Sequence, residues 1–343
     1  MRVLQVMAGA AAGGAETMFL DGVTALAEAG VAQHVVTRGA PARLDVLRNA
    51  GVPVDEASFD KLVRFPTTNT IKSAIKTFQP DVLHFWMGRA GTFAPVATRA
   101  RSLGWYGGYY KPSRFKNCAW HAGVTRDIER HIVEQGVPAD HASTLLVFAN
   151  IETAPPLDRA TFDTPDDAPL VLVLSRLHEK KGIDTLLDAL AELPGVYAWI
   201  AGSGPIEAEL KAQCTKLGLD DCVRWLGWRT DRAALLGACD IVAFPSRYEP
   251  FGAVTVEAWA AERPLVVADA AGPKATVTNE SDALLVPKDD PGALRAALGR
   301  VIADAELRTR LVANGKRSYE AGFTKQAFAR ASMTLYERIS TIG

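Results

Sequence analysis

Four cysteines in 343 residues, Cys118, Cys214, Cys222 and Cys239, are too few and too scattered for a disulfide framework. No Cys-x-x-Cys occurs, so the thiols read as reduced and mostly buried, as in a cytoplasmic protein. The six histidines show no metal-ligand spacing. No Asp-x-Asp occurs either, which removes the usual carboxylate clamp for a metal-bound diphosphate, and no metal is expected. Charge of one sign is not in excess. Lys and Arg number 38 against 39 Asp and Glu, net −1, so nucleic acid is not an implied partner. No apolar run approaches the ~20 residues of a membrane span. The first residues, "MRVLQVMAG", carry one basic side chain and a short apolar stretch, which reads as a first strand rather than a signal peptide. Neither half contains Gly-x-Gly-x-x-Gly at a strand end, and there is no P-loop, which argues against a dehydrogenase.

What the chain does have is 48% hydrophobic residues and length enough for two ordinary domains. Apolar runs alternate with amphipathic segments, the pattern of α/β layers around parallel sheets. The first half predicts strands at Val3–Met7, Gln33–Thr37 and Val82–Phe85, a fourth near Trp105–Tyr110, and helices at Glu16–Ala29, Ala42–Ala50 and Thr70–Phe78. The stretch Asn150–Pro169, "NIETAPPLDRATFDTPDDAP", is dense in Pro and Asp without periodicity and reads as a linker. Beyond it "LVLVLSR" restarts the alternation. Strands follow at Val196–Ala201, Val223–Leu226, Ile241–Phe244, Leu265–Ala268 and Ala283–Val286. Three helices close the chain, the last from Lys325 to Ile339 with Phe328, Ala331, Leu335 and Ile339 on one face. The expected division is 1–150, a linker over 151–169, 170–322, and a last helix over 323–343. Two doubly wound domains of this kind bind ligands at the carboxyl edges of their strands.

Four motifs fall at such edges. "VMAGAAAGGAETMF" puts Gly13 and Gly14 before a helix, which suits phosphate or a close-packed sugar, or is a plain flexible loop. "LVLVLSRLHEKKG" carries Arg176 past a buried strand and Lys181 before a helix. Both cations would neutralise a diphosphate, or they are solvated loop residues. "IAGSGPIEAEL" holds Gly202, Gly204 and Pro205, where glycine permits close backbone approach. "SRYEPFGAVTVEAWA" sets Glu249 in a loop and Glu257 one turn into a helix. Free N–H groups near Gly252, Ala253 and Val254 favour an anion. The two carboxylates then suit hydroxyl groups, since each accepts strong hydrogen bonds. Anion plus polyol points to a sugar nucleotide. The alternative is that the acids merely complement the helix dipole.

In their order along the chain these motifs, closed by "GPKATVTNESDALLVPKDDPGAL", resemble the retaining glycosyltransferases of family 4. The resemblance covers nearly the whole chain and is strongest in its second half. It implies the GT-B fold: two Rossmann-like domains facing a central cleft, the first acceptor-binding, the second donor-binding, with the C-terminal helix crossing back to the first. It implies transfer from a UDP- or GDP-sugar with retention of configuration, without a metal. Arg176 and Lys181 would contact the donor diphosphate and Glu249 the transferred sugar, these three forming the catalytic set. Glu257 would hold the ribose, with Gly14, Gly204, Arg229, Phe251, Gly252, Ala253 and Val254 completing the donor site. His84, Arg89, Tyr109, Tyr110 and Lys111 are the expected acceptor contacts. Two departures stand out. The region "WYGGYYKPSRFKNC" has no histidine where many members carry one, and Lys274 replaces a usual acid.

The "GGYYK" pattern is similar to glycosyltransferases of bacterial lipopolysaccharide core assembly. It implies a glycan or glycolipid acceptor in cell-envelope synthesis. Basic residues from Arg99 to Arg130 interleave with Trp105, Tyr106, Tyr109, Tyr110, Phe115 and Trp120. That mixture fits peripheral contact with an anionic membrane at the inner face of the cytoplasmic membrane. It fits equally a solvated basic loop whose aromatics are core. A nucleotide-sugar epimerase or hydrolase on the same fold, and an inactive scaffold subunit, are the competing functions. The intact set Arg176, Lys181, Glu249 and Glu257 argues against the scaffold.

Overall fold

A computed structural model describes residues 1–10, 13–151 and 154–342. The chain divides into two compact units, Met1–Phe148 with Gly322–Gly343, and Ala149–Ala321.

In unit 1 the order is β1 (Arg2–Met7), α1 (Gly14–Glu28), β2 (Ala32–Thr37), α2 (Pro41–Asn49), β3 (Val54–Glu56), α3 (Phe65–Phe78), β4 (Val82–Trp86), α4 (Met87–Gly91), β5 (Ser102–Tyr106), β6 (Trp120–Gly123), α5 (Arg126–Glu134) and β7 (Ala142–Thr144). The seven strands pair in parallel as β3-β2-β1-β4-β5-β6-β7. Their inner runs are buried on both faces, which is why they read as unbroken apolar stretches rather than alternations. β3, β6 and β7 are three or four residues long and carry Asp, Glu, His, Ser or Thr, so no apolar run announces them. The strand expected near Trp105–Tyr110 lies earlier, at Ser102–Tyr106. α5 starts at the cap Thr125, whose hydroxyl accepts the Ile128 N–H.

In unit 2 the order is β8 (Leu170–Leu174), α6 (Ile183–Leu190), β9 (Tyr197–Ala201), α7 (Glu207–Lys216), β10 (Val223–Gly227), α8 (Arg232–Ala238), β11 (Ile241–Phe244), α9 (Ala253–Ala260), β12 (Leu265–Ala268), α10 (Ala271–Thr276), β13 (Leu284–Val286), α11 (Pro291–Ala303) and α12 (Ala305–Gly322). Its six parallel strands run β10-β9-β8-β11-β12-β13. The two sheet faces bury separate apolar layers, one around Leu186, Ile200 and Leu298, the other around Leu172, Trp199 and Leu265.

The expected linker, of which Glu152 and Thr153 lie outside the described residues, is largely part of unit 2. Leu157 and Phe162 pack against its core, and Phe162 meets Trp199 edge-on at 5.1 Å. Arg159 fastens the segment by donating to Ala238 O and to Asp240. Pro and Asp there mark turns against a surface, not a free tether.

The last helix, α13 (Lys325–Ile342), packs on unit 1. Its buried stripe is Phe328, Ser332, Leu335, Tyr336 and Ile339; the expected Ala331 is exposed, because the contact follows i+4 spacing from Phe328.

Candidate active site

In unit 2 the strand order reverses between β8 and β11, and in such sheets the crevice beyond the carboxyl ends at that point is where ligands bind. Glycine lets the loops there close on one another. A Cβ on Gly202 would fall 1.7 Å from Ser175 O, and one on Gly204 2.1 Å from Leu177 O. Gly182, at φ 63°, sits so that a Cβ would meet Pro245 O at 2.1 Å. Any side chain at these positions would push apart the backbones after β8, β9 and β11.

The 3-10 turn Glu179–Lys181 is thereby held against the loop after β11. The N–H groups of Arg247 and Tyr248 donate to Lys180 O at 2.9 and 3.2 Å. The Arg247 guanidinium spans the same two loops, donating to Glu179 O and Thr185 and forming a fork with Asp184 at 2.7 and 2.6 Å. This frame brings Lys181 Nζ to 2.5 Å from Glu249 Oε2. The Gly272 N–H donates to Glu249 O at 2.8 Å, fixing that residue's backbone as well.

α9 begins at Gly252 in the left-handed conformation, φ 88°. The first N–H groups of α9, at Ala253 and Val254, have no acceptor within the helix and lie half-buried at its positive end. Glu257, one turn on, is 4% exposed and ion-paired with Arg232. Burial raises its pKa, against the pull of the Arg232 charge. Two hydroxyls in this neighbourhood of the sequence, Ser246 Oγ and Thr255 Oγ1, are buried without a partner among the described residues. Phe251 is 3% exposed, wedged so that its backbone crowds Gly272, and offers main chain rather than its ring.

Arg176 is exposed past β8, and its side chain makes no hydrogen bond or ion pair among the described residues, so its charge is uncommitted. Arg229 is forked onto Asp231 at 2.9 and 2.5 Å, with its guanidinium 5.6 Å from the Phe162 ring. Lys274 is exposed in α10. Arg232 and Arg247 are the residues that sequence reasoning missed. Arg247 stands two positions before Glu249, and only its pairing with Asp184 reveals it as the tie between loops.

Unit 1 treats its expected residues differently. Gly14 opens α1, exposed, with nothing within 4 Å of a Cβ there. The buried Arg43 ties the segment after β1 to the end of β2, donating to Ala10 O, to Arg38 O at 2.8 Å and to Thr37 Oγ1 at 3.2 Å. His84 is not an acceptor contact. It lies inside β4 with no exposed surface, stacked on Trp86 at 4.5 Å and hydrogen-bonded to Tyr336 of α13 at 2.7 Å. Burial pushes its pKa down to about 3. Arg89 is committed to Phe59 O at 3.1 and 2.7 Å. Tyr109 donates to Asp127, and Tyr110 reaches Met87 Sδ at 3.8 Å; both are half-buried. Lys111 is exposed. Among the aromatics expected at a membrane interface, Trp105, Tyr106, Phe115 and Trp120 are core residues. Phe115, for example, fills the space a Cβ on Gly91 or Gly104 would need.

Two Rossmann-like parallel-sheet units with a C-terminal helix returned to the first define the GT-B class of fold. The structure of Anabaena Alr3699/HepE in complex with UDP superposes with a TM-score of 0.86 at 21% identity, over 98% of this chain and 100% of that one. Residues 156–318 match the family described as Glycosyl transferases group 1. Over 341 residues the chain is 33% identical to the lipopolysaccharide core biosynthesis glycosyltransferase LpsD of Rhizobium meliloti (strain 1021), covering 98% of each. It is 32% identical over 327 residues to LpsE of the same organism, covering 94% of this chain and 95% of LpsE. The chain belongs to the group 1 glycosyltransferases and is a glycosyltransferase.

Proposed function

We propose that this enzyme moves a hexosyl group from a UDP- or GDP-sugar to a glycan or glycolipid acceptor, with retention and without a metal, in lipopolysaccharide or related cell-envelope synthesis. The observation that carries the reading is the Lys181–Glu249 pair at the switch point of unit 2, in the same loop–helix segment as the amino end of α9 and the buried Glu257. The HepE structures contain UDP and UDP-glucose, and LpsD and LpsE are named for lipopolysaccharide core synthesis. Those names support the donor and acceptor classes.

In this reading Glu257 accepts from the ribose hydroxyls while Arg232 keeps it anionic. Arg176, Lys181 and the N–H groups of Ala253 and Val254 meet the diphosphate. As the sugar–phosphate bond breaks, negative charge grows on the leaving diphosphate, and these donors stabilise it. Glu249, which accepts from Lys181 with one oxygen, turns the other to the sugar hydroxyls. The departing diphosphate takes the acceptor proton on the same face, which preserves configuration. Unit 1 holds the acceptor, and the enzyme works at the inner face of the cytoplasmic membrane.

The test is transfer from UDP- and GDP-sugars to truncated lipopolysaccharide core, with the anomeric configuration of the product read by NMR. An α-linked product formed in EDTA is expected. A β-linked product from an α-linked donor, or activity abolished by EDTA and restored by magnesium, would contradict it.

A further inference from the structure

Unit 1 carries an apolar tip that its own fold leaves uncovered. Leu62 is 94% exposed, Phe65 72% and Val63 61%, with Val96 72% exposed in the turn after α4. The tip is firmly built. Asp60 accepts the N–H groups of Leu62 and Val63 at 2.7 and 2.9 Å. The preceding Phe59 is fully buried against Phe93, with its carbonyl held by Arg89. Arg64 reaches Thr92 O and stacks on Phe93 at 4.3 Å. These three supports hold large apolar side chains out in water.

Charge accompanies the tip. α3 buries Thr67, Ile71 and Ala74 and turns Phe65, Lys72 and Lys76 to the opposite side, at i, i+7 and i+11. From Asp60 to Arg126 the sequence holds eleven Lys and Arg against two acids, Asp60 and Asp81, although the whole chain is net −1. Asp81 is itself taken by the Arg2 backbone N–H.

We propose that this face of unit 1 docks on an anionic lipid bilayer, with Leu62, Val63 and Phe65 entering the interfacial layer and Lys61, Lys72 and Lys76 meeting the headgroups. The proposal extends the glycolipid reading, and binding rather than transfer reads it out, so either can fail alone. A bilayer fits better than a second copy, because a twofold contact would set this cationic surface against itself. A projecting tip, unlike a groove, needs no complementary shape and enters a deformable interface. The docking segment also differs from the aromatic stretch after Arg99, where Trp105, Tyr106, Phe115 and Trp120 are core and Tyr109 and Tyr110 are half-buried.

Sedimentation with phosphatidylcholine vesicles, and with phosphatidylcholine–phosphatidylglycerol vesicles, tests it at low and high salt. The wild type should bind only the mixed vesicles, and less at high salt. Leu62→Asn with Phe65→Asn should weaken binding about a hundred-fold or more. Lys72→Ala with Lys76→Ala should weaken it roughly 25-fold, at ~1 kcal/mol for each cation. Val46→Asn, at an exposed apolar residue of α2, should change nothing. All these side chains are exposed, so UDP-induced thermal stabilisation should stay as in the wild type and report intact folding. The proposal is overturned by absence of binding to mixed vesicles, by equal binding to both vesicle types, or by indifference to both double variants. It is overturned equally if light scattering shows a dimer that Leu62→Asn dissolves while vesicle binding is absent.

Discussion

Glu257 and His84 are both buried polar residues of parallel-sheet units, one in each, and they are buried to opposite ends. Glu257 keeps an ion-pair partner, Arg232, at its carboxylate, so it can remain an anion and offer an oxygen to a ligand. His84 has no charged partner among the described residues. One ring nitrogen bonds Tyr336, the other is buried without one, and burial holds the imidazole neutral. A site residue is thus recognised less by its burial or its place along a strand than by what has been left beside it. In unit 2 Lys181 pairs with Glu249 and Arg232 with Glu257, on segments that follow the strands of the switch point or lead into its helix α9. In unit 1 most of the side chains singled out fasten the fold: Arg89 to Phe59, Tyr109 to Asp127, His84 to the last helix.

The sharpest break of this contrast is kinetic. Lys181→Ala in unit 2 should cut turnover ~10²–10³-fold, since Lys181 is proposed to meet charge that grows in the transition state. Lys111→Ala in unit 1 should raise the acceptor KM a few-fold and leave kcat alone. Equal losses of kcat in the two variants would erase the distinction. The glycine loops offer a second contrast, in stability. Gly202→Ala drives a Cβ into backbone at 1.7 Å and should cost about 3 kcal/mol or more, seen as a lower denaturant midpoint. Gly14→Ala meets open space and should stay within ~0.5 kcal/mol.

Acid should separate the units next. His84 and His121 are neutral in the fold, with pKa values pushed by burial to about 3 and about 4, against 6.5 when unfolded. Below pH 6.5 the unfolded chain takes up protons that the folded unit 1 refuses. Stability present above that pH is then lost on the way down to about 4, at about 1.4 kcal/mol per pH unit for each histidine. Glu257 has the opposite sign. Its raised folded pKa favours the fold in acid, a contribution lost as pH rises through that value. His84→Phe should flatten the acid slope of denaturation, whatever it does to absolute stability. An unchanged slope would mean that His84 titrates normally. Binding gives a further contrast, in Arg232→Met. It should weaken nucleotide binding about ten-fold and move the acid limb of the binding curve to higher pH, because Glu257 would lose the cation that opposes its burial.

The second half of the chain was the more legible in sequence because its site is assembled from loops that directly follow apolar strands. β8, β9 and β11 are each marked by an unbroken apolar run, and Lys181, Gly202 and Glu249 stand within a few residues of their ends. What the spacing could not convey was pairing at long range. Arg229 and Arg232 read alike in "RTDR", yet one turns to Asp231 and the other to Glu257. In the first half, basic residues and aromatics alternate between Arg99 and Arg130, but which of them faces water depends on short strands with no apolar signature. Trp120 and Phe115 went inside. The apolar residues that went outside, Leu62 and Phe65, precede the expected helix Thr70–Phe78 and belong to none of the motifs.

The central claim is that the crevice of unit 2 is where the nucleotide binds. Calorimetric titration of UDP into the wild type, Glu257→Gln and His84→Phe tests it most directly. The account predicts binding that falls ten-fold or more in Glu257→Gln and is unchanged in His84→Phe. Undiminished UDP affinity in Glu257→Gln, with loss in His84→Phe, would contradict it.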